Sequence, residues 1–248
     1  MHGCYIPRMI TVQAVPLLSD NYGWLLRDAG SGAVGFVDPG EAGPPIAAVE
    51  ASGGRLDFIF LTHHHADHVG GVEEMRARYG AKVIGAAADA RRLPRLDGAV
   101  VEGDAVVFGE SRARVLETPG HTLGHIAYVF DEDEALFCGD TMFSLGCGRL
   151  LEGTAADMFA SLGKFAVLPP ATLVYCGHEY TESNARFALH ATPDNAALQA
   201  FAADVRQKRA AGQATVPSRL ADELAANPFL RAPDVATLAD LRSRKDTF

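Results

Sequence analysis

The stretch LTHHHADHVGG, residues 61–71, places four histidines and one aspartate within six consecutive positions. The chain has nine histidines, so nearly half of them lie in this segment. A solvated polar turn and a metal site are both open interpretations, but such a density of histidine is poorly explained by chance. Neutral imidazole is the commonest side-chain metal ligand. The segment therefore predicts metal binding.

The histidine segment begins where a buried strand ends. The preceding residues, LDFIFLT (56–62), form a continuous apolar run, which is typical of a strand buried on both faces. Ligands at strand ends are held by the sheet yet exposed on its rim, as a preorganised site requires. Three other stretches repeat this order of apolar strand, small residue and ligand: ETPGHTLGH (117–125) with His121, LFCGDTMF (136–143) with Asp140, and LVYCGHEYT (173–181) with His178.

Local spacing separates ligands from supporting histidines. His63 and His65 are two residues apart, so they point to the same side of an extended chain, whereas His64 points away and is assigned a structural role. His68 begins a helical segment and can turn, with Asp67, towards a second metal.

The candidate ligands are too many for a single metal ion. They number seven: His63, His65, Asp67, His68, His121, Asp140 and His178. Seven ligands exceed the needs of one four-coordinate zinc and suit two metals that share a bridging carboxylate. His125 lies inside an apolar strand and is expected to be a core or supporting residue.

Composition excludes several classes of function. Of the 248 residues, 48% are hydrophobic and 21% are charged, as in an ordinary soluble globular protein. The net charge of −9 argues against a nucleic-acid partner, whose phosphates require a basic face. No run of 18 apolar residues supports a membrane span, and the N-terminus lacks the pattern of a secretory signal.

The four cysteines favour a cytoplasmic location. Cys4, Cys138, Cys147 and Cys176 form no Cys-x-x-Cys pair and no dense framework, which is typical of a reducing compartment. Cys138 and Cys176 follow apolar runs and are expected to be small, buried hydrophobic residues.

The chain divides into a mixed α/β part and a helical part. Short apolar runs ended by Gly, Pro or Asp predict strands at 11–18, 23–28, 33–40, 56–62, 81–86, 112–118, 125–130, 135–140 and 172–177. Helical patterns predict helices at 44–54, 69–80, 154–165, 181–191, 194–211, 218–226 and 234–245. The predicted organisation is an N-terminal extension (1–8), a mixed α/β domain (9–180) and a helical domain (181–248).

The motifs THHHADH, PGHTLGH, CGDTMF and CGHEYT together resemble the metallo-β-lactamase superfamily. This resemblance implies an α/β fold, namely an αβ/βα sandwich with metals at one edge of two sheets, followed here by a small C-terminal helical domain. Within the superfamily, residues 9–248 resemble the glyoxalase II (hydroxyacylglutathione hydrolase) family. The motifs that carry this narrower resemblance are GCGRLLEGT (146–154), GHEYT (177–181), NPFLR (227–231) and RSRKDTF (242–248).

The resemblance implies a role for each site residue. The first metal site would be His63, His65 and His121. The second would be Asp67, His68 and His178, with Asp140 bridging the two. The glutathione-binding positions would be Arg149, Tyr180, Arg242 and Lys245, which makes residues 181–248 a glutathione-binding domain. The family has an aromatic residue where this chain has Leu151, which cannot supply a hydroxyl.

The implied activity is hydrolysis of S-D-lactoylglutathione to D-lactate and glutathione, the second step of methylglyoxal detoxification, by a monomer with two divalent metal ions. Zinc is the first expectation, and iron and manganese also suit His and Asp ligands. Asp67, which orients the attacking hydroxide, and Asp140 are the predicted catalytic residues.

Several alternatives remain open at this stage. A glutathione persulfide dioxygenase would use one iron, with fewer ligands at the second site and without the helical domain. Another thioester or a lactone is a possible substrate of the same fold. A nuclease is disfavoured by the acidic charge, and a non-catalytic metal-binding protein by the intact ligand set.

Overall fold

The computed structural model describes residues 9–248; the predicted extension over residues 1–8, with Cys4, lies outside the described residues. Two six-stranded sheets form the body of the protein. The first sheet follows chain order: β1 (Ile10–Leu17), β2 (Asn21–Asp28), β3 (Val34–Val37), β4 (Phe58–Phe60), β5 (Lys82–Ala86) and β6 (Gly98–Val100). Strands β1 to β3 are antiparallel, and β3 to β6 are parallel.

The second sheet is mostly antiparallel. Its strands are β7 (Ala105–Phe108), β8 (Ser111–Glu117), β9 (Ile126–Phe130), β10 (Ala135–Gly139), β13 (Leu173–Cys176) and β14 (Ser218–Arg219). Their spatial order is β14-β13-β10-β9-β8-β7, and only the β10–β13 pair is parallel. A separate hairpin joins β11 (Met142–Phe143) to β12 (Gly146–Cys147).

Aromatic side chains hold the two sheets together. The ring of Phe60 on β4 meets Phe108 on β7 and Tyr128 on β9 edge to face, at centroid distances of 5.8 and 5.2 Å. The buried Tyr128 hydroxyl crosses the interface and donates to Leu61 O at 3.0 Å. Such pairs add directional stability beyond area burial. The layers form the expected sandwich, in which loops that follow strands of both sheets can meet.

Within residues 9–248, eight α-helices and one short 3-10 helix (Ala87–Asp89) accompany the sheets and form the C-terminal region. Their bounds are α1 (Gly43–Ala51), α2 (Ala66–Val69), α3 (Val72–Tyr79), α4 (Ala155–Ala166), α5 (Thr181–Ala191), α6 (Ala196–Ala210), α7 (Leu220–Ala226) and α8 (Val235–Asp246). A capping box between Thr154 and Asp157 begins α4, as its sequence spacing predicts. None of the helices between residues 9 and 248 has the length and apolar character that a membrane span requires.

Part of the C-terminal helical region shares the main hydrophobic core, whereas buried residues of α6 belong to a second, smaller cluster. Phe229, Leu238 and Leu241 belong to the same buried cluster as the sandwich. Helix α8 packs against α4, and this contact carries the end of the chain back to the strand ends where the candidate ligands lie.

Two helix predictions are wrong in detail. The helix predicted at 69–80 is interrupted at Gly70 and Gly71, because the backbone there runs against Gly40 and Glu41 so closely that a Cβ would collide with their carbonyl groups. Residues 218 and 219 form β14 rather than the start of a helix, because Ser218 pairs with Val174 on β13. Long-range pairing overrides local helical pattern in such short segments.

Candidate metal centre

Loops from both sheets bring the predicted ligands to one place. His63, His65, Asp67 and His68 follow β4 of the first sheet, while His121, Asp140 and His178 follow β8, β10 and β13 of the second. Within residues 9–248, three groups of side chains are close enough to hold a metal ion, and all belong to this region: His63–His65–His121, Asp67–His68–His178 and Asp38–His63–His68.

The first group consists of three imidazoles. His65 Nδ1 lies 3.1 Å from His63 Nε2 and 3.1 Å from His121 Nε2. Burial, reinforced by the charge of His68, lowers the pKa of His63 well below its usual value. Burial also lowers the pKa of His65. Neutral imidazoles keep the lone pairs that metal coordination needs.

The second group combines a carboxylate with two imidazoles, and Asp140 lies between the two groups. Its Oδ1 is 3.4 Å from His68 Nε2, and its Oδ2 is 3.3 Å from His178 Nε2 and 3.5 Å from His121 Nε2. Asp67 Oδ2 lies 3.4 Å from His178 Nε2. Asp140 therefore has the position that a bridging ligand requires.

The donor set fits a divalent cation. His68 Nε2 and Asp140 Oδ1 are buried and have no hydrogen-bond partner within the described chain. Leaving such groups unpaired is costly, and buried charges are normally paired or coordinate metals. The space is also kept open by Gly177, where a Cβ would press on Asp140 Oδ1 and lie 2.7 Å from His68 Cε1.

Outer contacts fix the orientation of the ligand imidazoles. His68 donates from Nδ1 to Asp38 Oδ2 at 3.0 Å, and His178 donates from Nδ1 to Asp20 Oδ1 at 2.9 Å. His121 donates from Nδ1 to Arg149 O at 2.9 Å. Each bond directs Nε2 into the centre, which is how carboxylates and carbonyls commonly orient metal-binding histidines.

Asp38, Asp20 and Asn21 are absent from the predicted site. Asn21 donates from Nδ2 to Asp67 Oδ2 at 2.9 Å, and Asp38 accepts from the Thr62 hydroxyl at 2.6 Å as well as from His68. Their only sequence signal is an acidic or amide residue within a few positions of the end of an apolar run, and the turn residues that end strands give the same signal.

Electrostatics keep the carboxylates of the site ionised. Burial alone would raise the pKa of Asp140, but His68 and His178 outweigh it and hold that pKa well below the usual value. Burial alone would lower the pKa of His178, but Asp140 raises it to about 10. Metal binding at this group would therefore release a proton from His178.

The remaining histidines of the two motifs lie outside the ligand groups. His64 turns away and contacts Asp89 Oδ2 at 3.0 Å. His125 is buried, and its Nε2 accepts from the Asp140 backbone N–H at 3.1 Å. Both placements match the roles that the spacing predicts.

A cavity of about 540 Å³ extends from the ligands to the C-terminal helices. His121 and Asp140 line this cavity, and so do all four predicted substrate-binding residues: Arg149, Tyr180, Arg242 and Lys245. The Tyr180 ring stacks on His178 at a centroid distance of 4.6 Å. Leu151 is exposed to solvent.

The cationic side chains of Arg242 and Lys245 are more tightly held than the sequence indicates. Arg242 is only 5% exposed, and its guanidinium donates to Cys147 O at 2.8 Å and Asp246 Oδ1 at 2.9 Å. Lys245 Nζ donates to Ser183 Oγ at 3.1 Å. Arg242 and Lys245 are therefore held in place by hydrogen bonds to the protein, whereas the Arg149 side chain is 68% exposed.

Cys138 and Cys176 are buried, as predicted, and carry free thiols. Burial raises the pKa of both thiols. Such thiols behave as small hydrophobic side chains rather than nucleophiles. Cys147 is buried at the cavity wall.

Comparison with known proteins gives the family and the fold of the chain. Residues 20–178 match the metallo-beta-lactamase superfamily, and residues 179–248 match the hydroxyacylglutathione hydrolase C-terminus. The crystal structures of the BLEG-1 B3 metallo-beta-lactamase (TM-score 0.69, 21% identity, covering 89% of this chain and 99% of that one) and of ETHE1 from Myxococcus xanthus (TM-score 0.68, 23% identity, 94% and 90%) share the fold.

Two curated relatives are similar over nearly their whole length. The chain is 57% identical over 241 residues to a hydroxyacylglutathione hydrolase of Acidiphilium cryptum, covering 97% of this chain and 98% of the relative. It is 48% identical over 254 residues to a hydroxyacylglutathione hydrolase of Methylococcus capsulatus, covering 97% and 99%. The chain belongs to the hydroxyacylglutathione hydrolase family of the metallo-β-lactamase superfamily.

Proposed function

We propose that this protein hydrolyses the thioester bond of S-D-lactoylglutathione and releases D-lactate and glutathione. The observation that carries the proposal is that one cavity is lined both by the candidate ligands His121 and Asp140 and by the cations Arg149, Arg242 and Lys245. A thioester placed against the ligands would leave the peptide part of the substrate to reach the cations. The family membership of the chain supports the same reaction, which would be the second step of methylglyoxal detoxification in the cytoplasm.

The ligand groups suit two divalent cations, and zinc is the first candidate because it favours imidazole and carboxylate donors; iron and manganese also suit them. His63, His65 and His121 would hold one cation, Asp67, His68 and His178 the other, and Asp140 both. Cations bound there would lower the pKa of a coordinated water and stabilise negative charge on a carbonyl oxygen.

The carboxylates of Asp67 and Asp140 differ in their exposure. The Asp67 side chain is 40% exposed, whereas that of Asp140 is 7% exposed. Without a bound cation, a hydrogen bond from His178 is the main cause that holds the pKa of Asp67 far below its usual value. A cation that replaces the His178 proton would favour the ionised form of Asp67 in the same way. We assign Asp67 to orient the attacking water by accepting a hydrogen bond from it. Asp140 would hold the two ligand groups together.

The leaving group fits the residues around the cavity. A thiol has a pKa of about 8.5, so a thiolate departs with little help from a general acid. The cavity residues need only position the substrate, and glutathione offers two carboxylates for that purpose. Arg149, Arg242 and Lys245 are suited to bind such groups through charge-assisted hydrogen bonds.

The reaction class can be tested by removing oxygen. Hydrolysis consumes no O₂, so we expect the rate of thiol release from S-D-lactoylglutathione to be the same in air and under strict anaerobiosis. Oxygen uptake with glutathione persulfide, without cleavage of the thioester, would instead support the dioxygenase alternative. Faster turnover of a simple lactone would point to another hydrolase of the superfamily.

Substrate affinity should depend on two of the three cations near the chain end. Arg242 and Lys245 line the cavity, while Arg244 forms an exposed ion pair with Asp240 at 3.3 Å. We expect Arg242→Ala and Lys245→Ala to raise KM about tenfold each, with smaller effects on kcat, because a carboxylate far from the reacting bond is bound equally in ground and transition states.

Arg244→Ala is the matched control and should leave KM unchanged. Metal content and thermal unfolding of all three variants should be measured alongside the kinetics, since Arg242 also contacts Cys147 and Asp246. If KM is unaffected in Arg242→Ala and Lys245→Ala, these two cations do not bind the substrate.

A further inference from the structure

A ring of four polar side chains lies behind the three-histidine group. His64 Nδ1 is 3.0 Å from Asp89 Oδ2, and Asp89 Oδ1 accepts from Arg92 Nε at 3.0 Å. Arg92 also donates to both carboxylate oxygens of Glu152, which lies 3.6 Å from His64 Nε2. We name His64, Asp89, Arg92 and Glu152 the His64 ring.

The ring connects the segments that carry the first ligand group. His64 is the residue between His63 and His65. Glu152 accepts from the backbone N–H of Leu123 at 2.8 Å, two residues after His121. Asp89 lies so close to Gly124 that a Cβ there would collide with its carboxylate.

A second link runs through the Glu152 segment. His121 donates from Nδ1 to the carbonyl of Arg149, three residues before Glu152. A displacement of Glu152 would thus also displace His121, through the bond to Leu123 N–H and through the Arg149 carbonyl. The ring therefore sets the spacing between the loop of His63 and His65 and the loop of His121.

The second ligand group is oriented by other residues. Asp38 fixes His68, Asp20 fixes His178, and Asn21 fixes Asp67. Disruption of the His64 ring should thus act mainly on one of the two groups.

We infer that Arg92 and Glu152 are positioning residues that preorganise His63, His65 and His121 for one metal ion. The inference rests on the proposed metal binding. Asp89 is buried and needs a cation, and Arg92 supplies one that simultaneously holds Glu152. Without the Arg92 bridge, fewer hydrogen bonds would join the loops of the two sheets. The metal would then have to order these loops as it binds, which would weaken its affinity.

Calorimetric titration of zinc into the metal-free protein tests the inference. In Arg92→Ala and Glu152→Gln, we expect one zinc-binding event to weaken about tenfold, at the low end of what outer-contact substitutions cost. This should be the event that His65→Ala removes. The other event should keep its affinity, and Arg91→Ala, which changes the exposed neighbouring arginine, should match the wild type.

Unchanged affinity of both events in the two variants would overturn the inference. Equal weakening of both events would also overturn it, because that result indicates general destabilisation. If Arg92→Ala does not fold, Glu152→Gln and Arg92→Lys decide the question, since lysine cannot hold two carboxylates in the same fork. A wild-type protein that binds two zinc ions but does not cleave the thioester would contradict the proposed substrate and leave this test intact. A wild-type protein that binds no zinc at the three-histidine group would contradict both the proposed function and this inference.

Discussion

Asp140→Ala should lose nearly all thioesterase activity together with at least one bound metal ion per chain. The buried Asp140 contacts His68 through Oδ1, and His178 and His121 through Oδ2. Removing one partner from a buried charged group costs about 3–5 kcal/mol. If about 3 kcal/mol of this cost is lost from transition-state stabilisation, kcat/KM falls by at least about a hundredfold.

Steady-state kinetics and elemental analysis of the same sample measure both effects. Asp131→Ala is a suitable control, because Asp131 forms an exposed ion pair with Arg114 away from the ligands, and it should keep full activity and metal content. Fully active wild-type protein with a single metal ion would contradict the bridging role of Asp140.

The parts of the site that the sequence predicts are those with a local signal. Asp140 and His178 follow their apolar strands within one or two residues and His121 within four, so the strand pattern alone places them on a sheet rim. The spacing of His63 and His65 then indicates that both face one side, and their Nε2 and Nδ1 atoms do meet at 3.1 Å.

The parts that the sequence does not predict depend on contacts between distant residues. Arg92 and Glu152 are 60 positions apart, and Asp20 and His178 are 158 apart. No periodicity reports such pairs, and an isolated arginine or aspartate is most often a solvated surface group.

The fold shows the same division. Long apolar runs such as 125–130 predict the strands of the core, and the structure has β9 at Ile126–Phe130. Short strands such as β6, β11, β12 and β14 were missed, because two or three residues carry too little pattern. Their conformation is set by the partner strand rather than by local propensity.

Gly177→Ala should damage the site by adding a single carbon atom. The new Cβ would press on Asp140 Oδ1 and lie 2.7 Å from His68 Cε1. The backbone cannot easily retreat, because Gly177 N–H donates to Gly139 O at 3.0 Å and Gly177 O accepts from Tyr22 N–H at 2.8 Å. We therefore expect Asp140 and His68 to be displaced, with loss of metal from the second group.

Overpacking of this kind costs about 1–3 kcal/mol in a well-packed core. The effect on activity should be larger than the effect on folding, because metal ligands tolerate displacements of only a few tenths of an ångström. We expect kcat to fall by at least about a hundredfold, as for a loss of about 3 kcal/mol in transition-state stabilisation, and the melting temperature to fall by only a few degrees.

Gly163→Ala provides the matched control. Gly163 lies within α4, and a Cβ there would have open space among the described residues. Alanine in a helix interior is favoured over glycine by up to about 1 kcal/mol, so this variant should be at least as stable as the wild type and equally active. Wild-type metal content and kcat in Gly177→Ala would show that Asp140 and His68 can move without loss of function. That result would undermine the argument that a tightly fixed shared carboxylate is essential to the site.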